Sequence, residues 1–254
     1  MQEYFRLLNN YYDKVYVLSV HAAEARRTLF AERFSGLDYT FFYGADKNNF
    51  TIEELIQKKI YSAELTKKHH RYNKVMKPGE IACAWSHCLM YEEMTKHNYS
   101  RILIFEDDAV PDPETMKQVP AILSEIPDDC ELLMWGWSKN GKSDFKSLLK
   151  KTSYHIQHRL GLLKWNPTMI ENLFAKPFSS NLRKAGFHDY TYSYAITRTG
   201  AEKLLTMQTP IQYIADNLLA HAITNNIVNG YIVYPAVILH DSLPDGTARD
   251  SYIR

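Results

Sequence analysis

Cysteine is scarce: Cys83, Cys88 and Cys130 are the three in 254 residues. None stands in a C-x-x-C pair, so neither a disulfide framework nor a structural zinc site is expected. Such sparse usage fits a reducing compartment. No apolar run approaches the roughly 20 residues that span a bilayer. The first residues, Met1-Gln-Glu-Tyr-Phe-Arg, lack the apolar core of a signal peptide. The expected location is therefore the cytoplasm, or the cytoplasmic face of the inner membrane. An excess of either charge is also missing. Lys and Arg total 30 against 29 Asp and Glu, a net charge of +1, so no global bias toward nucleic acid exists and any anionic partner must meet a local patch. Glycine and proline number 10 each, with no low-complexity linker and no internal repeat. The chain, 45% hydrophobic and 23% charged, reads as one globular domain over 1–254.

The hydrophobic pattern gives the elements. Residues 14–20 (KVYVLSV) are short, β-branched and aromatic, as a buried strand is. A helix follows over 22–34 with Arg26 and Arg27, then a strand over 39–43. Thr51-Ile-Glu-Glu54 resembles a capping box. Residues 67–77 are basic and irregular, and a long helix runs from Pro78 to about Lys96. Strands are expected over 101–105, 132–137, 190–196 and 232–239, with helices over 199–207 and 214–223. Strands alternating with helices predict a layered α/β fold on a mostly parallel central sheet. The least regular stretch, 139–186, reads as a long basic insertion of the kind that forms lids or binding elements.

Residues 101–105 (RILIF) end abruptly in Glu106-Asp107-Asp108. In open α/β sheets ligands bind beyond the carboxyl ends of strands. Three adjacent acids repel one another, so a cation or a proton must settle them. Oxygen ligands suit Mg²⁺ or Mn²⁺, above all where a diphosphate supplies further oxygens. A solvated acidic turn before Pro111 is the plainer reading. On the long helix, Cys83, His87, Met90 and Met94 share one face. His87 is then a core histidine or a neighbour of the ligand, and Ser86 either bonds back to the carbonyl four residues earlier or lies beside that ligand.

Taken in order, several segments resemble glycosyltransferase family 25, which includes bacterial lipooligosaccharide β-galactosyltransferases and collagen galactosyltransferases. They are Val15-Tyr-Val-Leu-Ser19 with Arg26 and Arg27, Phe42-Tyr-Gly-Ala45-Asp46, Gly79-Glu-Ile-Ala-Cys83-Ala-Trp-Ser86-His87, Ile104-Phe-Glu106-Asp107-Asp108, and Tyr194-Ala-Ile-Thr-Arg-Thr-Gly200-Ala201 through Leu205. Ala82 departs from the family's usual glycine. Ile211-Gln212-Tyr213 stands where the family often has an acid soon after a proline, which turns attention to Asp216. The resemblance implies a GT-A-like (Rossmann-like) fold, a UDP-sugar donor, a divalent metal (Mn²⁺ or Mg²⁺) and inversion at the anomeric carbon.

On that basis Asp108 is expected to hold the metal, with Glu106 or Asp107 assisting and His240 as a second protein ligand or a strand-end surface residue. Asp107 binds the ribose if it does not assist. Ser19, His21 and Asp46 are placed at the uracil and ribose, Arg26 or Arg27 at the phosphates, and Ser86 and His87 beside the nucleotide. Asp216 is the expected base for the acceptor hydroxyl, or else an acid favoured by a helix dipole. A metal-dependent phosphotransferase or phosphohydrolase is the alternative enzyme, although the D-x-D-x-T/V pattern is missing. An inactive carbohydrate-binding protein of the same fold is the non-enzymatic one. Within 139–165, Lys139, Lys142, Lys146, Lys150, Lys151, Arg159 and Lys164 face only Asp144 and interleave with apolar residues ending in Trp165. That composition fits the surface of an anionic membrane, where a glycolipid acceptor would lie. It also fits a basic helix packed on the domain by its apolar side.

Overall fold

A computed structural model describes residues 1–241. The chain opens with α1 (Gln2–Tyr11), which buries Phe5 and Leu8, and continues through β1 (Lys14–Ser19), α2 (Glu24–Arg33) and β2 (Thr40–Tyr43). Next come α3 (Ile52–Gln57), α4 (Ala63–His69) and α5 (Pro78–Lys96). Thr51 does cap α3: its hydroxyl accepts from Glu54 N while the Glu54 carboxylate accepts from Thr51 N. At the start of α5, Pro78 lacks only an N–H that no helix would use, and Glu80 accepts from Lys77 N at 2.7 Å.

Beyond α5 lie β3 (Arg101–Glu106), β4 (Ala109–Pro111), α6 (Val119–Glu125) and β5 (Leu132–Ser138). The segment read as an irregular insertion contains α7 (Phe145–Arg159), α8 (Pro167–Glu171), β6 (Lys176–Pro177) and β7 (Leu182–Lys184). β8 (Asp189–Thr197), α9 (Arg198–Gln208), α10 (Ala215–Thr224), β9 (Gly230–Val233) and β10 (Ile238–His240) complete the described residues. The single strand expected over 232–239 is two strands. Pro235 has no N–H to give a ladder, so pairing stops before it and resumes beyond it in a different sheet.

Eight strands form the main sheet in the order β2-β1-β3-β8-β5-β9-β7-β6, and β10 pairs with β4 in a separate ribbon. The expectation of a mostly parallel sheet is corrected. β1 runs parallel to β2 and β3, and β5 to β9, but β8 is antiparallel to both its neighbours, and β7 to β9 and β6. The parallel β2-β1-β3 unit comes from the alternating first half, whereas β9, parallel to β5, comes from residues 230–233. β8 enters instead after α7, α8 and the short edge strands, from the opposite end of the sheet. The β6–β7 edge carries Pro177, tolerated where one side of the ladder is unpaired.

Helices cover both faces. On one, Phe5 and Leu8 of α1, Phe30 of α2 and Ile122 of α6 pack with Val15, Val17, Leu103 and Phe105. On the other, Met90, Tyr91 and Met94 of α5, Leu204 of α9 and Leu218 of α10 pack with Ile102, Ile104 and Tyr194. After their leading Lys14 and Arg101, β1 and β3 therefore read as continuous apolar runs because both faces are dry, and the next polar residues, Ser19 and Glu106, fall at the carboxyl end.

Candidate active site

Parallel pairing puts the ends of β1 and β3 side by side, with Leu18 opposite Glu106. The three acids follow, and each finds a different partner. The Asp107 carboxylate accepts from Ser19 Oγ at 2.6 Å and pairs with Arg26 Nη2 at 2.5 Å. Arg26 Nη2 also reaches Asp108 Oδ2 at 2.8 Å, so one guanidinium bridges two carboxylates. Glu106 accepts from Thr191 Oγ1. Asp108 Oδ1 is buried and has no hydrogen-bond partner among the described residues. Burial, then the charge of Asp108, pushes Glu106 up to about 8. Asp107 is also raised by burial, against the opposing pull of Arg26 and Ser19. A proton on Glu106 and the Arg26 bridge thus share the work of relieving the repulsion.

Around these acids opens a cleft. Its walls include Ser19 and Val20 from the end of β1, Ala45 to Asn48 after β2, Cys83 and Ser86 from α5, and Tyr190, Tyr192 and His240. Ser86 is the joint between α5 and the loop after β2. Its hydroxyl donates to Ala82 O at 2.7 Å and accepts from Ala45 N at 2.9 Å. Gly44 leaves room for that joint, because a Cβ there would sit 2.1 Å from Ser86 Oγ. Asp46 closes an Asx turn, accepting from Asn48 N at 2.9 Å. Arg27 donates to Val20 O at 2.5 Å and His21 O at 3.0 Å, fixing the turn after β1.

His240 reaches the cleft through the β4–β10 ribbon, in which it lies opposite Ala109, and Asp241 N donates to Asp108 O at 2.9 Å. β10 crosses β5 at Gly136, where a Cβ would stand 2.6 Å from Ile238 O. The His240 ring packs on Tyr192 at 4.8 Å.

Of the residues expected at the site, Ser19, Arg26, Asp46, Ser86, Glu106, Asp107, Asp108 and His240 line this one cleft. His21 does not; it stacks on Tyr43, ring centres 4.1 Å apart. His87 lies beneath the cleft, buried, with Nδ1 2.7 Å from the Tyr194 hydroxyl, which in turn meets Tyr91 Oη at 2.6 Å. Burial lowers His87 to about 4, so it is neutral at physiological pH. Asp216 stands behind Tyr190, accepting its N–H at 3.2 Å and that of Asn217 at 2.7 Å, and burial raises its pKa. The expected metal ligands Glu106, Asp108 and His240 share the cleft without forming a tight triad. Among the described residues, the group of three whose ligand atoms lie within 4.8 Å of one another is Cys83, His87 and Glu106.

Tyr190, Thr191 and Tyr192 were not expected. They arrive because β8 runs antiparallel beside β3, with Phe105 opposite Ser193. The alternation Tyr190-Thr191-Tyr192 was visible in the sequence; its neighbour was not. Tyr190 has φ 71°, a left-handed conformation that costs a bulky residue energy, and Asp216 holds it there.

On the far side of the Asp189–Tyr190 segment lies a second cleft, walled by Arg71, Lys150, Tyr154, Trp165, Tyr213 and His221 among others. Arg71 lies 5.3 to 5.5 Å from the ring centres of Tyr72, Tyr154 and Trp165. Tyr213 is flanked by His69 at 4.7 Å and His221 at 4.9 Å. Burial lowers both histidines, His221 to about 4, so the cations of this cleft are arginine and lysine. Lys139 at its rim is already paired with Asp189 at 2.5 Å.

The matching family model is Glycosyltransferase family 25 (LPS biosynthesis protein), over residues 12–219, a span that holds both clefts' walls apart from His221 and His240. This chain belongs to glycosyltransferase family 25. Two curated relatives are each named "Glycosyltransferase 25 family member". The one from Anopheles gambiae is 26% identical over 204 residues, 76% of this chain. The one from Aedes aegypti is 24% identical over 197 residues, 75% of this chain. The matches cover 28% and 27% of those relatives' own lengths, so the family 25 chain corresponds to little more than a quarter of either. A solved protein from STIV aligns over 93% of this chain and 94% of its own at 11% identity, with a TM-score of 0.39, too low to bear on the fold.

Proposed function

We propose that this chain is an inverting, metal-assisted glycosyltransferase of GT-A-like arrangement. It moves a hexose, galactose foremost, from a UDP-sugar to a saccharide acceptor in lipopolysaccharide or lipooligosaccharide assembly. The observation that carries the reading is the carboxylate cluster, Asp107 buried and Glu106 and Asp108 half-buried, at the joined ends of β1 and β3, opening into a cleft whose walls include the turn at Asp46 to Asn48. A nucleotide fits between them, with ribose and base toward that turn and phosphates toward Arg26.

A divalent cation fits the residues present. Asp108 Oδ1 is a buried carboxylate oxygen without a partner among the described residues, and oxygen ligands with an imidazole suit Mn²⁺ or Mg²⁺. Asp108 and His240 would hold it, with Glu106 beside them. Bound there, the ion would supply the counter-charge that a departing diphosphate needs. Inversion proceeds by one displacement and requires a base on the acceptor side. Asp216 fills that role: burial raises its pKa toward the working range, and it stands at the segment that divides the two clefts. The second cleft takes the acceptor. Trp165, Tyr154 and Tyr213 offer ring faces to the apolar faces of a pyranose, and Arg71 and Lys150 suit an anionic substituent on it.

The test is incubation with Mn²⁺ and a panel of nucleotide sugars. UDP release from a UDP-hexose, lost on chelation and restored by Mn²⁺, is the expected result. Asp108→Asn should lower turnover at least about 100-fold while the fold persists. Phosphate release instead would mean a phosphohydrolase, no release a binding protein, and full turnover in excess chelator would remove the metal.

A further inference from the structure

The helix α7 is mounted the wrong way round for a water-facing helix. Phe145, Leu148, Leu149 and Ile156 fall on one stripe at helical spacing, and all point outward, at 73%, 59%, 57% and 55% exposure. Leu160 and Leu162 extend the exposed patch past the end of the helix. The opposite face holds α7 to the protein, and it is the polar one. Ser147 is buried. Lys151 Nζ donates to Glu171 O at 2.6 Å, His155 pairs with the Glu171 carboxylate at 2.8 Å, and Tyr154 meets Trp165 edge-on at 5.5 Å. A basic helix packed by its apolar side is therefore not what the sequence builds.

Charge decides what covers the stripe. Lys142, Lys146, Lys150 and Arg159 are exposed around it, and among the described residues no carboxylate pairs with them. The one acid of the segment, Asp144, is committed as the N-cap, accepting from Ser147 N at 2.8 Å. A second copy of the chain would bring the same bases against these. An anionic lipid surface neutralises them and buries the apolar stripe in one step.

We propose that α7 docks the protein on an anionic membrane surface, with Phe145, Leu148, Leu149 and Ile156 entering the acyl boundary and Lys142, Lys146 and Arg159 among the headgroups. The docking rests on α7 alone and not on the transfer chemistry. Its consequence for that chemistry follows from the inner flank of the helix, where Lys150 and Tyr154 wall the second cleft. The cleft then opens beside the lipid surface, where the headgroup of a membrane-borne acceptor would be in reach.

The experiment is co-sedimentation with phosphatidylcholine vesicles, with and without phosphatidylglycerol, at low and high salt. The protein should pellet with the anionic vesicles at low salt and be released by high salt. Each base near an anionic surface contributes roughly fivefold in association, so Lys142→Glu, Lys146→Glu and Arg159→Glu together should cost about a hundredfold or more. Leu148→Ser with Ile156→Ser should also abolish pelleting. All five side chains are exposed, so the melting temperature should hold. Phe145→Trp in the otherwise native chain adds an indole on the stripe, and its emission should shift to the blue on anionic vesicles. Wild type left in the supernatant, equal binding by the charge-reversed variant, or no blue shift in the Phe145→Trp variant would each overturn the proposal. So would a dimer without vesicles that Leu148→Ser dissociates, since the stripe would then be a self-association face.

Discussion

Asp216 shows how one half-buried carboxylate can be read two ways and how a single substitution separates them. It pins the strained backbone of Tyr190, and in the proposed reaction it would take the acceptor's proton. Asp216→Asn keeps an oxygen that can accept from Tyr190 N, so the wall between the clefts should stand. What it loses is the ability to take a proton. We expect kcat to fall about 10²- to 10⁴-fold with UDP affinity little changed. Parallel losses in both would mark Asp216 as a positioning residue. The same burial makes a thermodynamic prediction. The unfolded chain gives up this proton near pH 3.8, whereas the native state holds it to higher pH. Between those values the native state binds the extra proton, so its stability declines as pH rises and levels off above the native pKa. The asparagine variant has no such proton. Its melting temperature should gain on wild type as pH rises above about 4, and a constant gap through that rise would refute the raised pKa.

At the scale of elements, the site depends on β2, α5 and β10 being held at the ends of β1 and β3. The tightest of these contacts is Gly44 against Ser86. Gly44→Ala would place a Cβ 2.1 Å from Ser86 Oγ, 2.6 Å from Ser86 Cβ and 2.9 Å from Leu18 Cδ1, all in packed surroundings. We expect a loss of about 1–3 kcal/mol, as overpacked cores show, read as a lower denaturant midpoint, together with weaker UDP binding. An unchanged midpoint would mean that α5 shifts freely, and that Ser86 is no joint. What the sequence revealed of this arrangement was local: the apolar runs of β1 and β3, the acids that end one of them, the capping box at Thr51 and the proline that starts α5. These signals live in residues a few positions apart. The direction of β8 does not, because period-2 alternation looks alike in parallel and antiparallel strands. Thr191 on Glu106, and Tyr190 and Tyr192 in the first cleft, were therefore invisible until β8 was set beside β3. His240 was foreseen as a strand-end residue, but the break at Pro235 and the ribbon with β4 that delivers it were not. The outward stripe of α7 was half visible: the composition showed a basic, apolar segment, and only packing could show which side faces water.

For the molecule as a whole, the two clefts meet at one segment of β8, and the first of them gathers the ends of the parallel strands, the turn after β2 and the β4–β10 ribbon. A ligand that touches all of these must stabilise the entire fold, because it binds the native state and finds no equivalent site in the unfolded chain. The unusual feature is the charge. Burial pushes Glu106 up to about 8 and Arg26 bridges two acids, so a diphosphate entering alone would meet a cluster in which the oxygen without a partner among the described residues, Asp108 Oδ1, is another acceptor. UDP without a metal should therefore stabilise weakly. With Mn²⁺ present, the same nucleotide gains an ion that both sets of oxygens can share. At a hundred times its dissociation constant, UDP with Mn²⁺ should add about 2.7 kcal/mol of stability. For a chain of this length that is a rise in melting temperature of roughly 5–10 °C, each kcal/mol being worth about 2–4 °C. Thermal denaturation with UDP alone, Mn²⁺ alone, both, and both plus excess chelator measures it directly. The expected pattern is a large shift for the pair only, erased by chelator and absent in Asp108→Asn. Equal shifts with and without Mn²⁺ would show that Arg26 and the proton on Glu106 suffice, and the metal would have no place in donor binding.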